Sequence, residues 1–143
     1  MNGEQTLDIG HTADFGIHVS GPTVESVFTH AAEAMFAFML EGWKPPEGVA
    51  GIPLHVEICA SSPEELFREW LAELLYHASI RRAIAARFRI TSLTGTRLSA
   101  DAELFPIKPR DRRRTKEVKA VTWHGLRLER NDDGWEAEVI FDT

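Results

Sequence analysis

The apolar residues of this chain change period along its length, and that change limits the fold more than any other feature. Ile52, Leu54, Val56 and Ile58 alternate with polar His55 and Glu57, the period of a strand with one buried face. Phe88 and Ile90 begin a second alternating run. Leu98, Ala100, Ala102 and Leu104 make a third, with Gly95 as a turn between the two. Val118–Trp123, Leu126–Arg130 and Trp135–Phe141 follow, and Asn131-Asp132-Asp133-Gly134 between the last two is a hairpin signal. Phe15–Ser20 reads as a further strand near the start.

Two segments keep the helical period instead. Val24, Val27, Phe28, Ala31, Met35, Phe38 and Met39 recur at three- and four-residue spacing, which predicts a helix over 23–40. Gly21-Pro22 precedes it, Thr23 can cap it, and Gly42 and Pro45-Pro46 end it. The second helix, 62–78, has Ser62 at the N-cap, Pro63 at the first helical position and Glu65 at the third, a capping box. Leu66, Phe67, Trp70, Leu71, Leu74 and Leu75 form its apolar stripe, read as core. Two helices against six or seven strands give an α+β class: one domain over 1–143, with the helices on a mostly antiparallel or mixed sheet.

A chain of 143 residues, 43% hydrophobic and 27% charged, is ordinary for a globular protein of this size. Its longest apolar stretch, Ala31–Leu40, is broken by Glu33 and is far shorter than the ~20 residues of a membrane span. The first ten residues lack the basic and apolar regions of a secretory signal. The single cysteine, Cys59, excludes an internal disulfide framework and reads as a small buried residue. A reducing, cytoplasmic setting is the expectation. The net charge of −6 hides a segregation: seven basic residues and two acidic ones lie between Lys108 and Lys119. An acidic chain repels nucleic acid, so DNA and general RNA binding are disfavoured, while the basic segment can still meet a phosphate or an acidic partner.

Chemistry-bearing residues gather in three places. His11-Thr12-Ala13-Asp14 precedes the first strand, Glu117–Leu126 holds Lys119 and His124, and Phe141-Asp142-Thr143 closes the sequence. Asp142 and a terminal carboxylate on Thr143 are a compact source of anionic oxygen. With Asp14 nearby they could hold a hard divalent ion, whereas a solvated chain end and a turn-capping Asp are the plain alternatives. The six histidines show no zinc spacing, and no Walker A, G-x-S-x-G or G-x-G-x-x-G motif is present.

Together these motifs resemble the archease family. The resemblance rests on His11-Thr12-Ala13-Asp14; on Pro22-Thr23-x-Glu25 with Ala34-Met35-Phe36; and on Trp70 with Glu73-Leu74-Leu75. It continues through Glu117-Val118-Lys119-Ala120-Val121-Thr122-Trp123-His124-Gly125-Leu126, Gly134-Trp135-Glu136-Ala137 and Asp142, in order along nearly the whole chain. It implies a small cytoplasmic α+β protein that is not an enzyme. Archeases activate an RNA ligase of the RtcB type, which uses GTP and manganese to join a 3′-phosphate or 2′,3′-cyclic phosphate end to a 5′-hydroxyl in tRNA splicing and RNA repair. They promote ligase guanylylation and repeated turnover.

The resemblance also implies a divalent cation, calcium foremost with magnesium or manganese as alternatives, held by Asp14, Asp142 and Thr143. His11, Lys119 and His124 become the partner-activation surface. RNA would be met through the ligase. This sequence departs from the family pattern at Phe15, at Trp123, in the basic, alanine-rich 79–87 segment, and at Arg112-Arg113-Arg114. A metal-dependent phosphohydrolase using Asp14 and Asp142, and a chaperone-like or RNA-binding module, are the alternative readings.

Overall fold

In a computed structural model, the structure describes the backbone of residues 3–9 and 12–143, and side chains from Asp14 onward. His11 therefore lies outside the described residues. Strands β1 (Gly3–Ile9) and β2 (Thr12–Gly21) lead into helix α1 (Val24–Met39). Strand β3 (Ile52–Cys59) and helix α2 (Pro63–Arg81) follow, then β4 (Ala83–Leu93) and β5 (Arg97–Pro106). After a 3-10 turn at Pro109–Arg114 come β6 (Ala120–Val121), β7 (Arg127–Asn131) and β8 (Gly134–Asp142).

The strands form two sheets rather than the single sheet expected. One has the order β1-β2-β8-β6, with β7 also on β8. The other is β3-β5-β4. Every pairing is antiparallel. The α+β class holds, and the helices explain the division. Each touches strands of both sheets, and α1 buries Val27, Phe28, Ala31, Ala32, Ala34, Met35 and Phe36, more than one helical face. Phe15, Ile17 and Val19 on β2 and Ala137, Val139 and Phe141 on β8 supply the core face of the larger sheet. Fully burying one such side chain is worth roughly 1.5–3 kcal/mol.

Local signals mostly act as read. The Thr23 hydroxyl accepts from the Ser26 N–H at 3.1 Å, and the Ser26 hydroxyl accepts from the Thr23 N–H at 3.2 Å. At α2 the Ser62 hydroxyl accepts from the Glu65 N–H at 3.1 Å, but the Glu65 carboxylate turns one residue further back, to the Ser61 N–H at 2.6 Å. Thr94–Arg97 makes the turn that Gly95 signals. Gly134 closes the β7–β8 hairpin at φ +146°, where a Cβ would stand 2.4 Å from the Gly21 carbonyl oxygen. The hairpin thus seats directly on the β2–α1 junction, and only glycine permits that approach.

Cys59 is exposed, not buried. The alternation that turns Val56 and Ile58 inward carries Cys59 out with His55 and Glu57. On that outer face the Nδ1 of His55 lies 2.8 Å from the Asp101 carboxylate and its Nε2 lies 2.9 Å from Glu57. Both ring nitrogens can donate only in the imidazolium form. The Asp101 bond first, then that of Glu57, raises the pKa of His55 above its ordinary 6.5. The sign follows: this cluster supports the fold fully below pH 6.5, and its contribution is lost as pH rises through the raised folded value. An NMR titration of the His55 ring should give a midpoint above 6.5 that falls toward 6.5 in Asp101→Asn. An unchanged midpoint in that variant would remove Asp101 as the cause.

Candidate functional site

Strand β2 starts at Thr12, so Asp14 sits within a strand, not in the loop the sequence suggested. Its directly opposed partner on β8 is Asp142, and Asp142 is in turn opposed by Ala120 of β6. The next row is Phe15, Phe141 and Val121, all buried. Alternation then turns Asp14, Asp142 and Ala120 to the outer face. Residues directly opposed across an antiparallel pair hold their Cβ atoms about 5 Å apart. The two carboxylates are therefore neighbours, although 128 positions separate them in the sequence.

Like charges directly opposed destabilise a sheet, and elsewhere this one neutralises them. Glu129 and Glu136 are opposed across β7 and β8. Arg127 bridges them at 2.7 and 3.0 Å and also pairs with Glu138. These bonds hold the Arg127 guanidinium well above its usual pKa. The same arginine, with help from Asn131, lowers the pKa of Glu136. Asp14 and Asp142 have no comparable cation among the described residues. Nor, among the described residues, does any group of three or more His, Cys, Asp or Glu side chains converge in metal-binding geometry there. The side chains provide an oxygen pair, which further donors would have to complete.

The segment beside this pair is fixed by its backbone. The Lys119 N–H donates to the Asp142 carbonyl at 2.7 Å, and the Thr122 N–H to the Ile140 carbonyl at 3.0 Å. The Val118–Trp123 strand of the sequence reading contracts to Ala120–Val121, because Val118 and Val121 turn inward while Lys119 and Ala120 are both exposed. Trp123–Leu126 then forms a turn closed by the Leu126 N–H to the Trp123 carbonyl at 3.2 Å. Gly125 takes φ +67° and His124 is exposed at the tip. Trp123 is 54% exposed. The Arg68 guanidinium of α2 lies 4.8 Å from its ring centroid, and Arg68 Nε donates to the Val121 carbonyl at 2.9 Å. The sequence reading did not single out Arg68. No local signal marks it, because its role depends on α2 lying beside β6.

The structure thus brings Asp14, Asp142, Thr143 and the Lys119 backbone to one end of the larger sheet, with His124 on the adjoining turn. The chain matches the Archease protein family (MTH1598/TM1083) over residues 8–143, and it belongs to that family. It is 34% identical to a protein archease of Methanosarcina acetivorans over 138 residues, covering 92% of this chain and 91% of the relative. It is 33% identical to that of Pyrococcus furiosus, covering 92% and 94%. The solution structure of protein 1598 of Methanobacterium thermoautotrophicum superposes with a TM-score of 0.72 at 29% identity, covering 99% of both chains. A Thermotoga maritima archease crystal structure, described as a possible chaperone, shares the fold at a TM-score of 0.63 and 20% identity, covering 98% of this chain and 94% of that one. Among the described residues no helix is long and apolar enough to cross a membrane.

Proposed function

We propose that this chain is a non-enzymatic activator of a GTP-using, manganese-dependent RNA ligase of the RtcB type, working in a cytoplasmic setting. It would promote guanylylation and repeated turnover through a divalent cation presented by Asp14 and Asp142. One observation carries this reading: the two family acids are directly opposed on the outer face and, among the described residues, lack the bridging cation that Arg127 gives to Glu129 and Glu136. Carboxylate oxygens suit calcium, magnesium or manganese. Thr143, next along the chain, adds a main-chain oxygen, and His11 would support Asp14. When bound, the cation supplies positive charge to the phosphate on which negative charge develops during guanylyl transfer. Lys119 and His124 would face the partner, orient the phosphate and hold the activator in place. RNA would be reached through the ligase, and no nucleophile on this chain is needed.

The test is a guanylylation assay with the RtcB-type ligase of the same organism, GTP and manganese. Added protein should raise both the rate and the number of turnovers, and phosphoesters incubated with the protein alone should stay intact. Hydrolysis by the protein alone would favour the phosphohydrolase reading instead. Lys119→Glu should raise the half-saturating activator concentration about tenfold, or ~1.4 kcal/mol. Its melting temperature should hardly move, since the side chain is exposed. An unfolded variant would place Lys119 in a structural ion pair instead.

A further inference from the structure

Residues 108–117 of the basic segment have a place in the fold that the site above does not use. They run past the C-terminal ends of both helices and there close a groove of about 280 Å³. The groove floor is apolar, made by Met39 of α1, Ala78 of α2, Ala83 and Ile107. Arg82, Arg112 and Lys116 also line it, with Glu117 as the one acid among the described residues. None of the three cations forms an ion pair among the described residues, whereas Arg114 beside them pairs with Asp111 at 3.0 Å. Both walls are held by the backbone: the Ile107 N–H donates to the Arg82 carbonyl at 2.9 Å, and the Lys116 N–H to the Met39 carbonyl at 2.8 Å. The Arg112 carbonyl accepts from the Thr115 hydroxyl at 2.7 Å. The groove is thus formed before any partner arrives, which lowers the ordering cost of binding.

We infer that this groove docks an acidic segment of a protein partner, with one apolar side chain on the floor and flanking carboxylates on Arg82 and Arg112. Naming the partner as the ligase rests on the activator reading; the groove's chemistry does not. The charge balance supports an acidic occupant. The chain is −6 overall, yet this segment carries seven basic residues against two acidic ones, so an acidic partner is repelled by most of the surface and steered to this end. The floor favours protein over RNA. Among the described residues no aromatic ring lines the groove to stack a base, and the nearby Phe38 ring is already covered by the Lys116 ammonium at 5.2 Å. The groove also adjoins the carboxylate pair: three residues beyond Lys116, the Lys119 N–H is bonded to Asp142, and Phe38 stacks 4.0 Å from Phe15, the residue after Asp14. A segment held here would fix how a partner's reactive centre meets Asp14 and Asp142.

Two measurements test this. First, the ¹⁵N-labelled chain is titrated with a capped peptide Glu-Asp-Leu-Glu-Asp. The amides of Ala78, Ala83, Ile107 and Lys116 should shift, the shifts should weaken with salt as screened charge requires, and Arg112→Glu should abolish them. Shifts elsewhere, or none at ~5 mM peptide, where even millimolar affinity would register, overturn the docking site. A 5′-phosphorylated oligouridine that moves the same amides at lower concentration overturns the choice of protein over RNA. Second, in the guanylylation assay Arg112→Glu should raise the half-saturating concentration about tenfold and leave the plateau rate unchanged. The Arg112 side chain is exposed and enters no hydrogen bond or ion pair among the described residues. If the wild-type chain does not stimulate the ligase, the activator reading fails and the peptide titration alone decides the groove. If it stimulates and Arg112→Glu is identical to it, the groove is not where the ligase docks.

Discussion

Asp14→Ala should eliminate stimulation of the ligase under multiple turnover while leaving the domain folded. Asp14 is partly exposed on the outer face of β2, opposite Asp142, and its neighbour Phe15 carries the burial at this point of the strand. Removing one of two opposed like charges costs a sheet nothing and can relieve it by up to ~1 kcal/mol. In the cation-free protein the variant should therefore melt at or slightly above the wild-type temperature. Calcium reverses the order. A ligand that binds only the native state adds about 2.7 kcal/mol at one hundred times its dissociation constant, and an oxygen site depends strongly on its charge count. Wild-type protein should gain stability with added calcium and Asp14→Ala should not. Melting curves with and without calcium, run beside the guanylylation assay, read both effects. Equal stimulation by the two proteins would discard cation presentation and leave docking as the whole of the activity.

Local rules carried the reading of the helices and most strands, and they failed where a distant segment decides. Thr23 and Ser62 cap helices because a hydroxyl three residues from a free N–H needs nothing else. α2 runs on to Arg81 and stops where the C-cap residue, Arg82, adopts the left-handed conformation at φ +49°, which sequence assigns to glycine. Nothing in the sequence marks β1: Gly3–Ile9 has little alternation, and its partner register with β2 identifies it. Arg87 is the clearest miss. It sits at φ +57° where β4 slips against β5, and its guanidinium binds the carbonyls of Val49 and Pro46 at 2.6 and 2.7 Å and the Glu103 carboxylate at 3.1 Å. One side chain thereby fixes the loop after α1, and no periodicity announces it. The carboxylate pair lies between these cases. Resemblance named Asp14 and Asp142, but only the β2–β8 register sets them opposite each other. Sequence spacing carries no information about a register between the two ends of a chain.

Two tryptophans separate stability from surface, and Trp70→Ala should be the most damaging substitution in the core. Trp70 is fully buried on α2, its Nε1–H donates to the Phe28 carbonyl of α1 at 2.9 Å, and its ring meets that of Phe88 edge-on at 6.1 Å. It therefore joins the two helices to β4 at one point. Truncation loses the transfer energy of the ring and leaves a cavity, together about 3–5 kcal/mol for a buried aromatic. The lost hydrogen bond adds about 1 kcal/mol. Against a typical total of 5–15 kcal/mol, this should bring the urea midpoint close to zero or lower the melting temperature by roughly 10–20 °C. Trp70→Phe keeps most of the ring, gives up the N–H bond and should cost less than half as much. Trp123→Ala is the control, because that side chain is half exposed and its main neighbour is the Arg68 guanidinium. Its effect on stability should stay near 0.5 kcal/mol. A Trp70→Ala protein that unfolds at the wild-type urea concentration would show that the helices are held to each other by something other than this contact.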